Sequence, residues 1–253
     1  CCCSSDIGHV YDNIATKETM DIEGITVEGL KDGLTKRAIA YVNPKSGSGK
    51  GAKAVEIMKP IFAEAKVELI IRHTEYAGHI TELANEEDLS QVNYLISIGG
   101  DGTLAELVNG FMTRKDHAEV KDKVSIGVIP AGTGNTVAYD LGILNDIDAA
   151  ARRIVSNKGR LLDVVQCQPA AEGAEPVYSI NIVGWALPAS ILKGYEAMRC
   201  IAFDCIRSSL YEVAGYAEVL ANPVYRCKIE FPADADVKQE VRERLAQYQS
   251  YVY

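Results

Sequence analysis

Between Arg37 and Leu141 the chain runs four times from a short apolar stretch, through a loop, into a helical pattern. The apolar stretches are 38–42, 67–71, 94–98 and 124–129. The helical patterns are Ala54, Ile57, Met58, Ile61 and Phe62, then residues 80–85, then Leu104, Leu107, Val108 and Phe111, then a segment ending at Leu141. Such alternation predicts an α/β fold, a parallel sheet with helices on both faces. Ligands in such folds sit where the loops leave the C-terminal strand ends. Three of the four ends here are rich in glycine.

The alternation stops near Gly159. Residues 161–165 and 178–183 read as strands around a loop with Pro169, Gly173 and Pro176, residues 191–220 read as helical, and 225–231 as another strand. Residues 1–35 lack sustained periodicity. The expected organisation is a poorly ordered leader (1–35), an α/β catalytic domain (36–158) and a partial, mostly β second domain (159–253).

Of 253 residues, 47% are hydrophobic and 24% charged, an ordinary globular balance. With 26 Lys plus Arg against 35 Asp plus Glu, the net charge of −9 leaves no basic face for nucleic acid. No apolar run approaches the roughly 20 residues that span a bilayer. The seven cysteines form no C-x-x-C pair, which suits reduced thiols in a cytoplasmic protein and no zinc site. The triplet Cys1-Cys2-Cys3 lacks the basic or apolar flank that lipidation would favour. A first residue other than Met leads us to expect a fragment.

The first glycine loop is Asn43-Pro44-Lys45-Ser46-Gly47-Ser48-Gly49-Lys50-Gly51. A Walker A alignment fails at both ends, with Pro44 in place of the first Gly and Gly51 in place of Ser or Thr. A dinucleotide fingerprint fits as Gly47-x-Gly49-x-x-Ala52, but the second strand ends in Arg72-His73 without the ribose-binding carboxylate, which argues against NAD and leaves NADP open. The loop reads as a phosphate cradle beside Lys45 and Lys50, or as a flexible turn. In the second loop, Gly99-Gly100-Asp101-Gly102-Thr103, Thr103 and Glu106 have capping-box spacing. Asp101 shows no structural duty, and a carboxylate there can accept a proton or hold magnesium on a nucleotide. The third loop, Pro130-Ala131-Gly132-Thr133-Gly134-Asn135, repeats the pattern, with an Asn135 N-cap as its plainer reading. Three such loops on one sheet edge point to a nucleotide pocket.

N-P-x-S-G-x-G-x-G, then G-G-D-G-T-x-x-E-x-x-N-G (Gly99 to Gly110), then P-A-G-T-G-N resembles the diacylglycerol kinase catalytic-domain family, which includes sphingosine and ceramide kinases. The likeness is close over about 37–159 and looser to about 231. It implies an α/β nucleotide domain followed by a β-sandwich, with transfer of the ATP γ-phosphoryl group to a lipid hydroxyl and magnesium on the nucleotide. It implies that Asp101 is the general base. The implied nucleotide contacts are Asn43, Pro44, Lys45, Ser46 and Gly47, the segment from Thr74 to Gly78, Gly99, Gly100, Gly102, Thr103, Glu106, Gly132, Thr133, Gly134 and Asn135. Glu196-x-x-Arg199 fits a stretch where relatives place an arginine near the phosphates, and Arg207 is a second basic candidate at a less suitable spacing.

Where sphingosine kinases carry W-G-F-x-A-D-x-D, this chain has Trp185 through Leu192, with Ser190 and Leu192 in place of both acids. By the resemblance, that implies a neutral lipid acceptor contacted by Ser190 and Leu192. Later strands of the family and a D-G element are absent, so the second domain reads as incomplete. The expected partners are a lipid substrate and, transiently, a membrane surface. A soluble-substrate kinase resembling NAD kinases, or a truncated homologue that only binds nucleotide, are the competing readings.

Overall fold

A computed structural model describes residues 35–43, 49–143, 146–169, 171–184, 187–199 and 210–221. It divides into two compact units, one ending at Val183 and the other starting at Gly184. The expected leader and the strand expected at 225–231 lie outside the described residues.

In the first unit four parallel strands, β1 (Lys36–Val42), β2 (Val67–His73), β3 (Tyr94–Gly99) and β4 (Ser125–Pro130), lie in the order β2-β1-β3-β4. The helices are α1 (Lys50–Glu64), α2 (His79–Glu86), α3 (Asp101–Met112), α4 (His117–Val120), α5 (Thr136–Asp140) and α6 (Ile147–Val155). Alternate side chains of a strand point to opposite faces. Accordingly Ala38, Ala40 and Val42 of β1, with Tyr94, Ile96 and Ile98 of β3, pack on one face against Ala54, Met58 and Phe62 of α1 and Ala150 and Ala151 of α6. Ile39, Tyr41 and Leu95 pack on the other against Ile80 and Ala84 of α2 and Leu107 and Phe111 of α3. Every residue of β3 is buried, as a central strand covered on both faces should be. Truncating Phe62 of α1, fully buried against the sheet, to Ala would cost about 3–5 kcal/mol.

From β1 the chain goes first to β2 on one side and later to β3 on the other, so the strand order reverses between β1 and β3. A crevice at that reversal is where open α/β sheets take ligands. A small antiparallel sheet follows, β5 (Val165–Cys167) and β6 (Val177–Ser179). Both strands are shorter than the sequence pattern suggests, because Leu161, Leu162, Ile182 and Val183 are exposed rather than paired. The sequence pattern also gave no sign of α4 and α6. The core face of α6 is largely alanine, and its start is set by Asp146, whose Oδ1 accepts the Ala149 N–H at 3.1 Å.

The second unit contains α7 (Leu187–Arg199) and α8 (Leu210–Ala221). They pack where Gly194 comes close to Ala214, a Cβ at Gly194 falling 3.5 Å from the Ala214 methyl, and where the Tyr195 and Tyr211 rings meet at 5.5 Å. Among the described residues no helix is long and apolar enough to cross a membrane.

Candidate active site

The β3–α3 and β4–α5 loops touch backbone to backbone. Ala131 and Gly132 donate their N–H groups to the Gly99 carbonyl at 2.9 and 3.1 Å. A Cβ on Gly132 would fall 2.3 Å from the Gly100 Cα, and one on Gly100 would fall 3.2 Å from the Gly132 Cα. Side chains at these positions would force the loops apart, so glycine is required by close approach.

Asp101 opens α3 and reaches across to α5. Its Oδ2 accepts the Thr136 N–H at 3.0 Å and its Oδ1 the Val137 N–H at 3.1 Å. The carboxylate therefore caps the start of α5 from another element, which corrects the expectation that it has no structural duty. Asn135 occupies the N-cap position of α5 in the left-handed region (φ 55°), but its side chain does not cap the helix. Instead its amide turns back to Gly132, accepting that N–H and donating to that carbonyl, both at 3.0 Å.

Thr103 and Glu106 do not form the expected capping box. Because α3 starts at Asp101, Thr103 already lies in the first turn, buried, and covers Gly99, where a Cβ would meet its Oγ1 at 2.2 Å. Glu106 reaches away from its own helix end. Its Oε2 accepts the Ile80 N–H at the start of α2 at 3.4 Å, and its carbonyl accepts the Thr81 hydroxyl at 3.1 Å. Two acids of α3 thus hold the starts of two neighbouring helices. Further along, Asn109 bonds both the N–H and the carbonyl of Tyr178 in β6 at 2.8 Å each.

At the end of β2, Thr74 is buried and its N–H and hydroxyl both donate to the Val42 carbonyl, at 3.0 and 3.3 Å. Gly78 has φ 89°, which favours glycine and lets α2 begin abruptly. Between them the Tyr76 ring stacks on His79 at 4.5 Å and its hydroxyl donates to Glu82. That hydrogen bond, more than desolvation, pushes the Tyr76 hydroxyl above its ordinary range.

At the end of β1, Asn43 is described, whereas Pro44, Lys45, Ser46 and Gly47 lie outside the described residues. Beyond them a cavity of about 530 Å³ opens between α1, the β4–α5 loop and the start of α6, lined by Lys50, Lys53, Gly132, Thr133, Asn135 and Asp148 among others. Its volume falls in the range of small-ligand pockets. Asp148 pairs with Arg152 at 2.7 Å, and among the described residues neither lysine is ion-paired. Sequence reasoning missed Lys53 and Asp148. The spacing of Lys53 one turn after Lys50 was an available signal, whereas α6 gave none.

Asp101 and the glycine segments Gly99 to Gly102 and Gly132 to Gly134 are brought together, and Glu106 ties α3 to the start of α2, which follows the Thr74–Gly78 segment. Ser190, half-buried, and Leu192, exposed, stand on α7 of the second unit; Arg199 closes that helix, its side chain outside the described ones, and Arg207 lies outside the described residues. Magnesium on a nucleotide takes one or two carboxylates and completes its shell from phosphate and water. Asp101 supplies such a carboxylate, so the donor chemistry fits. Among the described residues no group of three or more His, Cys, Asp or Glu could hold a metal through protein ligands alone.

A four-stranded parallel sheet with helices on both faces, its β3–α3 and β4–α5 glycine loops joined at the C-terminal strand ends, defines an open α/β domain. Residues 37–167 match the diacylglycerol kinase catalytic domain, and the chain belongs to that family. It is 29% identical over 204 residues to sphingosine kinase 1 of Arabidopsis thaliana, a match covering 79% of this chain and 40% of that one. It is 25% identical to the ceramide kinase of Mus musculus (81% of this chain, 40% of that one) and 35% identical to the diacylglycerol kinase of Bacillus subtilis strain 168 (59% and 45%). The chain spans less than half the length of these relatives.

Proposed function

We propose that this chain is the catalytic part of an ATP- and magnesium-dependent lipid kinase acting on a primary hydroxyl of a ceramide- or diacylglycerol-type lipid. The observation that carries the reading is Gly102. It lies in the first turn of α3, where Ala would be favoured by roughly 0.5–1 kcal/mol, yet among the described residues a Cβ there would meet no atom within 4 Å beyond its own helix backbone and chain neighbours. The neighbouring glycines answer to protein contacts. An open backbone at Gly102, beside Asp101, suits close approach by a phosphate group.

In this reading the lipid oxygen attacks the γ-phosphorus in line, its proton passes to Asp101, and the bond to the β,γ-bridging oxygen breaks to release ADP. Both Asp101 oxygens keep a lone pair beyond those used on α5. The glycine-loop amides of Gly99–Thr103, Gly132, Thr133 and Asn135, with Asn43, Thr74, Gly78 and Glu106 around them, orient the nucleotide. Lys50 and Lys53 add positive charge in the adjoining cavity. By the resemblance, Pro44, Lys45, Ser46, Gly47 and Arg199 complete the phosphate side. Magnesium, when bound, neutralises charge on the transferring phosphoryl group. Ser190 and Leu192 favour a neutral acceptor, since a desolvated ammonium without an ionic partner costs several kcal/mol. The enzyme would work in the cytoplasm and touch the membrane transiently to reach its lipid.

The test is transfer from γ-labelled ATP to sphingosine, ceramide, diacylglycerol and NAD, offered together in mixed micelles. Labelled ceramide or diacylglycerol phosphate is the expected product. Labelled NADP would sink the lipid assignment, and predominant sphingosine phosphate would sink the neutral acceptor.

A further inference from the structure

The β4–α5 loop has two faces that do different work. Gly132, Thr133 and Asn135 line the 530 Å³ cavity, whereas Gly134 is not among the residues lining it. Gly134 turns instead to Asp101, and a Cβ there would sit 3.2 Å from Oδ2. Its backbone does not need glycine for conformational reasons, since it is not one of the residues with positive φ. The amides that follow it, Thr136 and Val137, both point to the same carboxylate, at 3.0 and 3.1 Å. They are available to it because the Asn135 side chain, at the N-cap position, bonds Gly132 and makes no cap on α5. A two-point grip of this kind fixes both the place and the plane of a carboxylate, which one hydrogen bond cannot do.

Resting on the kinase reading with Asp101 as base, we infer that Gly134 and the first two amides of α5 are positioning elements for the Asp101 carboxylate. One face of the loop serves the nucleotide cavity, and the other aims the group that receives the acceptor's proton. An added methyl at Gly134 must push the carboxylate aside, because 3.2 Å is shorter than ordinary van der Waals contact. Displacement of a reacting group by a fraction of an ångström to an ångström is enough to lower a rate by up to about 100-fold.

The experiment compares the full chain with Gly134→Ala in three readouts. ADP affinity by calorimetry is expected to stay unchanged, while the turnover number for lipid phosphorylation falls by about 10–100-fold. A loss of ADP affinity in step with the rate would show that Gly134 serves the nucleotide, and an unchanged rate would show that no grip is needed; either result overturns the inference. The third readout, amide hydrogen exchange, does not depend on catalysis. Thr136 and Val137 are expected to be protected in the parent chain and to lose protection selectively in Asp101→Ala. If these amides exchange alike in both proteins, the grip does not exist in solution. A parent chain that binds no ADP would overturn the kinase reading, and with it the positioning role, while the exchange data still decide the grip.

Discussion

Replacing Gly110 with Ala should destabilise the protein far more than its chemistry suggests. The residue lies on α3 where α2 crosses it. A Cβ there would fall 2.5 Å from the Thr81 carbonyl oxygen, 2.8 Å from the Ala84 Cβ and 3.0 Å from the Thr81 Cα. Carbon atoms rest at about 3.5–4.0 Å, so α2 would have to retreat by about 1 Å. It is not free to do so. Arg114 Nη1 donates to the Ala84 and Asn85 carbonyls at 2.6 and 2.9 Å, and the Thr81 hydroxyl donates to the Glu106 carbonyl at 3.1 Å. Overpacking of a close-packed contact costs about 1–3 kcal/mol. Weakening a buried hydrogen bond adds about 1 kcal/mol, and the better helix propensity of Ala returns about 1 kcal/mol. The net loss is about 1–3 kcal/mol, or about 2–12 °C in Tm at this chain length. Gly102→Ala is the matched control on the same helix. With no neighbour within 4 Å among the described residues, it should gain roughly 0.5–1 kcal/mol. Urea and thermal unfolding followed by circular dichroism would measure both. A Gly110→Ala protein as stable as the Gly102→Ala control would refute the packing argument.

Asp101→Asn should lower stability as well as transfer, because an amide offers one acceptor where two N–H groups now bond; a loss of about 1–2 kcal/mol in urea unfolding is expected, and unchanged stability would contradict the cap on α5. Arg114 bonds both oxygens of Asp116, at 2.8 and 2.9 Å, and this holds the Asp116 carboxyl below its ordinary pKa of 3.8. A depressed carboxyl stabilises the fold above the unfolded value and loses that contribution as pH falls through the folded one. Stability should therefore decline below about pH 4, and Arg114→Met should flatten that dependence while costing about 2–3 kcal/mol at neutral pH through the carbonyls it leaves bare. A parallel acid limb in the mutant would remove the pair from the explanation. Leu192→Asp should shift acceptor preference towards sphingosine, read by competition in mixed micelles, and an unmoved ratio would detach Leu192 from acceptor choice.

The four strands and their loops were legible because burial on both faces leaves near-continuous apolar runs and strand exits demand glycine. What the sequence did not reveal is which element each polar side chain serves. Thr103 and Glu106 have the spacing of a local cap, and the spacing is equally compatible with what occurs: Thr103 covers Gly99, and Glu106 bonds a backbone N–H 26 residues away. Local patterns carry no information about a partner helix that the fold brings alongside. For the same reason Asp101 looked idle, since its two N–H partners lie 35 and 36 residues downstream. Helix α6 escaped notice because Ala150 and Ala151 bury little area each and so leave a weak periodic signal.

The density of the Gly99–Gly110 motif now has a physical account. Helix α3 follows the central strand, and what sets the neighbouring loops must pass through it. Gly99 admits Thr103, Gly100 admits Gly132, Asp101 holds α5, Glu106 holds α2, Asn109 holds β6, and Gly110 lets α2 approach. Between them these residues fix the β4–α5 loop, α5, α2 and β6 against α3, so a change at any of them disturbs a packed contact. Gly102 stands apart, on the same turn but with no contact among the described residues to explain it. A purely structural motif would have alanine there and gain stability by it. On the kinase reading proposed above, the open position at Gly102 is the place for a phosphate group to approach, and the contacts of the surrounding residues supply the rigidity that would hold Asp101 and the loop backbone around it.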